Sequence, residues 1–153
     1  DRPMVIRYPR GRGSLVDWQC PLESIEIGKG YCLREGNGDT AILSFGPIGL
    51  QAAKAIELSG QDVAHYDMVF CKPLDIQLLT EVFARYKRII TVEDGVRNGG
   101  FGSAVLEEAN LQHYQGEIIR LGLPDEFIEQ GTCPELYQVC GIDAASIAEK
   151  LKS

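Results

Sequence analysis

The residues best suited to chemistry in this chain lie in two places. Gly95, Gly99, Gly100 and Gly102 fall within VEDGVRNGGFGSAVLEEA, residues 92–109, between an apolar run and a helix-like pattern. A glycine loop at such a junction can hold a phosphate, because backbone N–H groups converge at the positive end of a helix. Arg7, Arg10 and Arg12 sit within RYPRGRG, residues 7–13. A guanidinium binds phosphate through paired, charge-assisted hydrogen bonds. The loop fits the two common nucleotide cradles poorly. In the dinucleotide register Gly100-Phe101-Gly102-Ser103-Ala104-Val105, Val105 replaces the third small residue, and the loop follows a later strand rather than the first. Gly95 to Gly100 has P-loop spacing, but Phe101 stands where the phosphate-binding Lys belongs. Glu93 and Asp94, just upstream, would repel a phosphate. Packing explains the glycines better: small residues let a helix start approach a neighbouring backbone. Ser103 is then the expected N-cap, and Phe101 is expected against another surface or a subunit.

Other polar residues carry less. Cys20, Cys32, Cys71, Cys133 and Cys140 include no C-x-x-C, so neither a zinc site nor a thioredoxin motif is supported. Their odd number fits reduced thiols in a cytosol. Cys71 and Cys140, in apolar surroundings, are expected as small core residues. His65 and His113 are the only histidines and form no recognisable pairing with a cysteine. They are expected on strand or surface positions. Glu93, Asp94 and Asp125 are expected as solvated or backbone-bonded carboxylates.

A net charge of −7 and a pI of about 4.8 argue against a whole-domain nucleic-acid binder. No stretch reaches the ~18 consecutive apolar residues of a membrane span, and no signal-peptide pattern is present. The chain opens on Asp1, as a processed chain or a piece of a longer protein would. Its 153 residues suit one domain with a proper core.

The elements that must position these residues follow from periodicity. Residues 1–24 hold Pro3, Pro9, Pro21 and the basic cluster, and read as a connector. Residues 25–153 read as one domain. Its first strand lies in 25–34, and Gly36-Asn37-Gly38-Asp39 predicts a hairpin-like turn into the strand TAILSFG. PIGLQAAKAIELSG places Ile48, Ala52, Ala55, Ile56 and Ser59 on one helix face, with Gly60 at its end. DVAHYDMVF is the next strand, and residues 74–86 form a helix capped by Asp75. KRIITVED, the helix SAVLEEANLQHY and the strand GEIIRLGLP follow. Two short helices, about 134–140 and 143–152, are separated by Gly141. This alternation predicts right-handed crossovers and an α/β three-layer sandwich. Its sheet is expected to have about five strands, mostly parallel, with one antiparallel edge strand from residues 25–34.

Six motifs stand in order: RYPRG (7–11), GKG (28–30), FCKPLD (70–75), TVEDG (91–95), GGFGSAVLE (99–107) and LGLPDEFIEQGT (121–132). Together they resemble the C-terminal end of the 1-deoxy-D-xylulose-5-phosphate synthase family, within the transketolase-like thiamine diphosphate enzymes. The E-E/D-G…GG-x-G element is shared with transketolase and with 2-oxo-acid dehydrogenase β subunits. The corresponding interaction domain of those proteins is the alternative reading; RYPRG and GLPD-x-FI-x-G are more like the synthase. The resemblance implies a transketolase C-terminal-like fold in a cytoplasmic, homodimeric parent of three domains. It implies thiamine diphosphate and Mg²⁺ bound by the other domains, and condensation of pyruvate, after decarboxylation, with glyceraldehyde 3-phosphate. It gives Arg7 the phosphate of that aldehyde substrate, and leaves Arg10 and Arg12 in the connector. This chain lacks the G-D-G…N metal-diphosphate motif and the segment carrying the activating glutamate. No catalytic, cofactor-binding or metal-binding residue is therefore expected within it. Alone it is expected to be inactive and to serve assembly with the preceding domains and the dimer partner, the glycine loop lying near the dimer contact.

Overall fold

The computed structural model describes residues 3–6 and 23–153. Arg7, Arg10, Arg12 and most of the expected connector lie outside the described residues. The elements are β1 (Tyr31–Arg34), β2 (Thr40–Phe45), α1 (Gly49–Ser59), β3 (Ala64–Asp67), α2 (Ile76–Arg85), β4 (Arg88–Val96), α3 (Phe101–Leu111), β5 (Glu117–Leu123), α4 (Cys133–Val139) and α5 (Ala144–Lys152). The sheet order is β1-β3-β2-β4-β5, with β1 antiparallel to β3 and every other pair parallel.

Each layer follows from the sequence pattern. Strand β2 is central, and Ala41, Ile42 and Leu43 are fully buried, as a strand covered on both faces requires. Helices α1 and α5 cover Ile42, Ile90 and Val92 on one face. Helices α2 and α3 cover Ala41, Leu43 and Ile89 on the other. The buried residues within α1 are Ala52, Ala55, Ile56 and Ser59, and Ile48 just ahead of it is buried too, the set its 3.6-residue period predicts. Asp75 caps α2 by accepting the Leu78 N–H at 3.0 Å.

Three expectations need correction. The Gly36–Asp39 turn does not close a hairpin, because β1 pairs with β3 rather than β2. Both edges of β2 are taken by parallel partners, so the turn carries the chain across the amino end of β3. Gly36 there presses on the backbone of Val63 and Ala64, and Gly38 on the carbonyl of Asp62, where side chains would not fit. Strand β3 is shorter than DVAHYDMVF: it stops at Asp67, and Val69 turns to a positive φ of 52°. Strand β4 runs on through Gly95 to Val96, with a register shift against β5 after Val92. Cys71 and Cys140 do pack against the two core clusters, but each is only half-buried.

Candidate functional site

The parallel strands place their carboxyl ends at one side of the sheet, where α/β folds collect ligands. Two groups of polar residues meet there. The first is the glycine loop. Helix α3 begins at Phe101, three residues earlier than a cap at Ser103 allows. Its first N–H groups are held by Glu93: Phe101 N–H donates to Oε2 and Gly102 N–H to Oε1, both at 2.8 Å. Glu93 is buried within β4, just after Val92, where the register against β5 shifts. A carboxylate of the chain itself thus fills the place where a phosphate would bind a helix N-terminus.

The glycines serve this closure. A Cβ on Gly100 would run into Glu93 Oε2 and the Val96 carbonyl oxygen. One on Gly102 would stand 2.5 Å from Thr91 Oγ1. Ser103 has another task. Its hydroxyl accepts from Gly99 N–H (2.9 Å) and Arg120 Nη1 (2.7 Å), and donates to the Arg97 carbonyl (3.0 Å). Phe101 faces no external surface: it is buried and stacks on Phe45, centroids 5.3 Å apart. Asp94 accepts the Tyr137 hydroxyl at 2.9 Å, tying β4 to α4. Burial, helped by that bond, pushes the Tyr137 phenol up to about 12. Asp125 is exposed.

The second group lies in a groove of about 570 Å³ between β1 and α1. Ser44 Oγ is 2.9 Å from His65 Nε2, the contact expected of a nucleophile and its base. Both residues are buried, however, and the first turn of α1 roofs them: a Cβ on Gly49 would lie 2.8 Å from Ser44 Oγ. An attacking hydroxyl needs open space beside it, so the pair is read as mutual satisfaction of buried polar groups. His113, by contrast, is exposed past the end of α3. Sequence reasoning missed the Ser44–His65 pair and the tie between Arg120 and the loop. The signal lay in strand alternation, which puts Ser44 and His65 on the same sheet face as Ile42.

Burial depresses His65 below the usual histidine value of 6.5, with Asp67 opposing the shift. The folded state therefore binds fewer protons than the unfolded chain just below that value. Its contribution to stability is complete above 6.5 and is lost as pH falls toward the depressed folded value. The unfolding free energy from urea titrations should fall below pH 6.5 with a slope of up to about 1.4 kcal/mol per pH unit from this residue. His65→Gln should flatten that part of the profile; an unchanged slope would mean that His65 does not titrate differently on folding.

Arg7, expected to hold the substrate phosphate, lies outside the described residues, as do Arg10 and Arg12. Among the described residues, no three His, Cys, Asp or Glu side chains are grouped to hold a metal ion. The glycine-rich helix start is filled by Glu93, so that loop does not fit a magnesium diphosphate.

A five-stranded sheet with an antiparallel edge, whose carboxyl-end loop binds the chain's own carboxylate, defines a doubly wound α/β domain. The chain belongs to the transketolase C-terminal domain family, whose model matches residues 28–147. It is 53% identical to a 1-deoxy-D-xylulose-5-phosphate synthase of Phocaeicola vulgatus and 54% identical to one of Parabacteroides distasonis, each over 99% of this chain. The chain spans 24% of the length of those relatives. A solved structure described as a split-gene transketolase, an inactive β4 tetramer, superposes with a TM-score of 0.75 at 29% identity, covering 87% of this chain and 43% of that one.

Proposed function

We propose that this chain is the C-terminal domain of a thiamine-diphosphate-dependent 1-deoxy-D-xylulose-5-phosphate synthase. The parent would join pyruvate, after decarboxylation, to glyceraldehyde 3-phosphate, releasing CO₂. The carrying observation is identity above 50% to synthases along essentially the whole chain. The cofactor and Mg²⁺ belong to other parts of the parent, consistent with a helix start already filled by Glu93. The domain's own work is assembly, within a homodimeric, cytoplasmic enzyme. A related split-gene transketolase, longer than this chain and described as an inactive β4 tetramer, supports the view that a part carrying this domain assembles without turning over.

The test compares three proteins supplied with thiamine diphosphate, Mg²⁺ and both substrates. The full-length polypeptide should form 1-deoxyxylulose 5-phosphate, and the 153-residue chain should form none. In the full-length protein, Arg7→Ala should raise the KM for glyceraldehyde 3-phosphate by tenfold or more and spare the KM for pyruvate, since a charge-assisted phosphate contact is worth about 1.5–3 kcal/mol. Turnover by the short chain would defeat the assembly reading. Unchanged kinetics in Arg7→Ala would remove Arg7 from the substrate site.

A further inference from the structure

The two ends of the sheet differ in chemistry. At the amino end, ion pairs join Lys87 to Asp39 (2.9 Å), Arg85 to Glu35 (2.9 Å) and Arg88 to Glu117 (3.0 Å). These groups are mostly exposed and suit contact with water. The carboxyl end and the outer edge beside it present Ile25, Ile27, Tyr31, Leu33 and Leu50, all exposed. Every residue of β1 is exposed, and among the described residues no strand pairs with its outer edge. Leu33 from β1 and Leu50 from α1 border the groove that leads down to Ser44 and His65. Single exposed apolar residues are ordinary; a set gathered on one edge and one end marks a contact surface.

We propose that this face is where the preceding part of a synthase-length polypeptide packs against the domain, a proposal that rests on the function given above. Three observations select that occupant. The chain spans only 24% of the length of its synthase relatives, so most of such a polypeptide lies outside it and is available to cover an apolar face. The family is by description a C-terminal domain, which places that length ahead of this domain. Ile25 and Ile27, both exposed, immediately precede β1, and Gly28 beside Ile27 packs on Pro73 in the loop that follows β3. The charged amino end is, in turn, the poorer surface to desolvate, since burying exposed ion pairs costs more than their attraction returns. Contacts between domains of one chain are more polar than a core. Apolar borders at Leu33 and Leu50, with Arg34 and Asp67 also lining the groove, match that character.

The test uses the full-length polypeptide, carrying one introduced cysteine at a time in a background without other cysteines. Ile27→Cys and Leu33→Cys probe the face, at sites 75% and 57% exposed in this domain. Leu58→Cys, at a site on α1 that is 62% exposed, is the control. In the native polypeptide a maleimide should modify the first two at least tenfold more slowly than the control, and all three equally in denaturant. Equal native rates would overturn the proposal. Protection that vanishes on dilution to single chains would assign the face to a second copy and overturn it as well. Should a cysteine variant fail to fold, hydrogen exchange on the unsubstituted polypeptide decides: the amides of β1 exchange slowly if covered and at the rate of an open edge strand if not. Synthase turnover of the unsubstituted polypeptide is read separately, so failure of the functional reading and failure of the surface assignment are distinct results.

Discussion

Glu93→Ala should lower the unfolding midpoint of this domain by about 6–12 °C, the shift that ~3 kcal/mol produces in a domain of this size. The reasoning is local. Two backbone N–H groups at the start of α3 bond the two oxygens of one buried carboxylate, each at 2.8 Å. Hydrogen bonds to a charged acceptor are worth about 1.5–3 kcal/mol, and a buried donor left without a partner costs about 1–3 kcal/mol. Alanine removes both bonds at once, and the two losses overlap, so their full sum is not expected. Glu93→Gln retains one acceptor oxygen and should cost less. Amide exchange gives the second readout: Phe101 and Gly102 should lose protection in Glu93→Ala while Ile89 and Ile90, deep in β4, lose only what global stability loses. A midpoint unchanged by Glu93→Ala would mean that the carboxylate does not cap α3.

Gly100→Ala should be at least as damaging, and more damaging than Gly99→Ala. Gly99 has a φ of +78°, with open space around it, so alanine there meets only the backbone penalty of about 1–2 kcal/mol. Gly100 has an ordinary φ of −85°, and dihedrals alone would call it tolerant. Space decides otherwise, because an added methyl would meet Glu93 Oε2 and the Val96 carbonyl oxygen. The carbonyl belongs to the backbone of β4 and cannot swing aside, and displacing Glu93 would undo the α3 cap. Overpacking of this kind costs about 1–3 kcal/mol and occasionally more; with the cap lost too, ~3 kcal/mol or more is expected. Chemical denaturation of the two alanine variants measures the order. If Gly99→Ala proves the more damaging, the loop is governed by backbone conformation and not by the close approach of α3 to β4.

The resemblance drawn from six ordered motifs led to the family that the comparisons show, and the layer architecture was legible from alternation alone. Asp75 was also legible as a cap, because a local side chain bonds its own helix. The cap of α3 was not. Its N–H groups reach back to Glu93, eight and nine residues upstream, and a short-range capping rule points instead to Ser103. Phe101 was expected against another surface or a subunit, and only the structure shows which: the glycines let α3 sit close enough for Phe101 to stack on Phe45 inside the domain.

By itself the sequence determined the elements, the apolar side of each, and the family they compose. Periods of two and 3.6 residues and terminal glycines are local properties, and local sequence encodes them directly. Only the tertiary structure decided which edge β1 would join and what would occupy the head of α3. Strand pairing depends on which edges remain free once β3 and β4 have flanked β2. The anion site at α3 depends on whether another charge in the chain reaches it first, and Glu93 does.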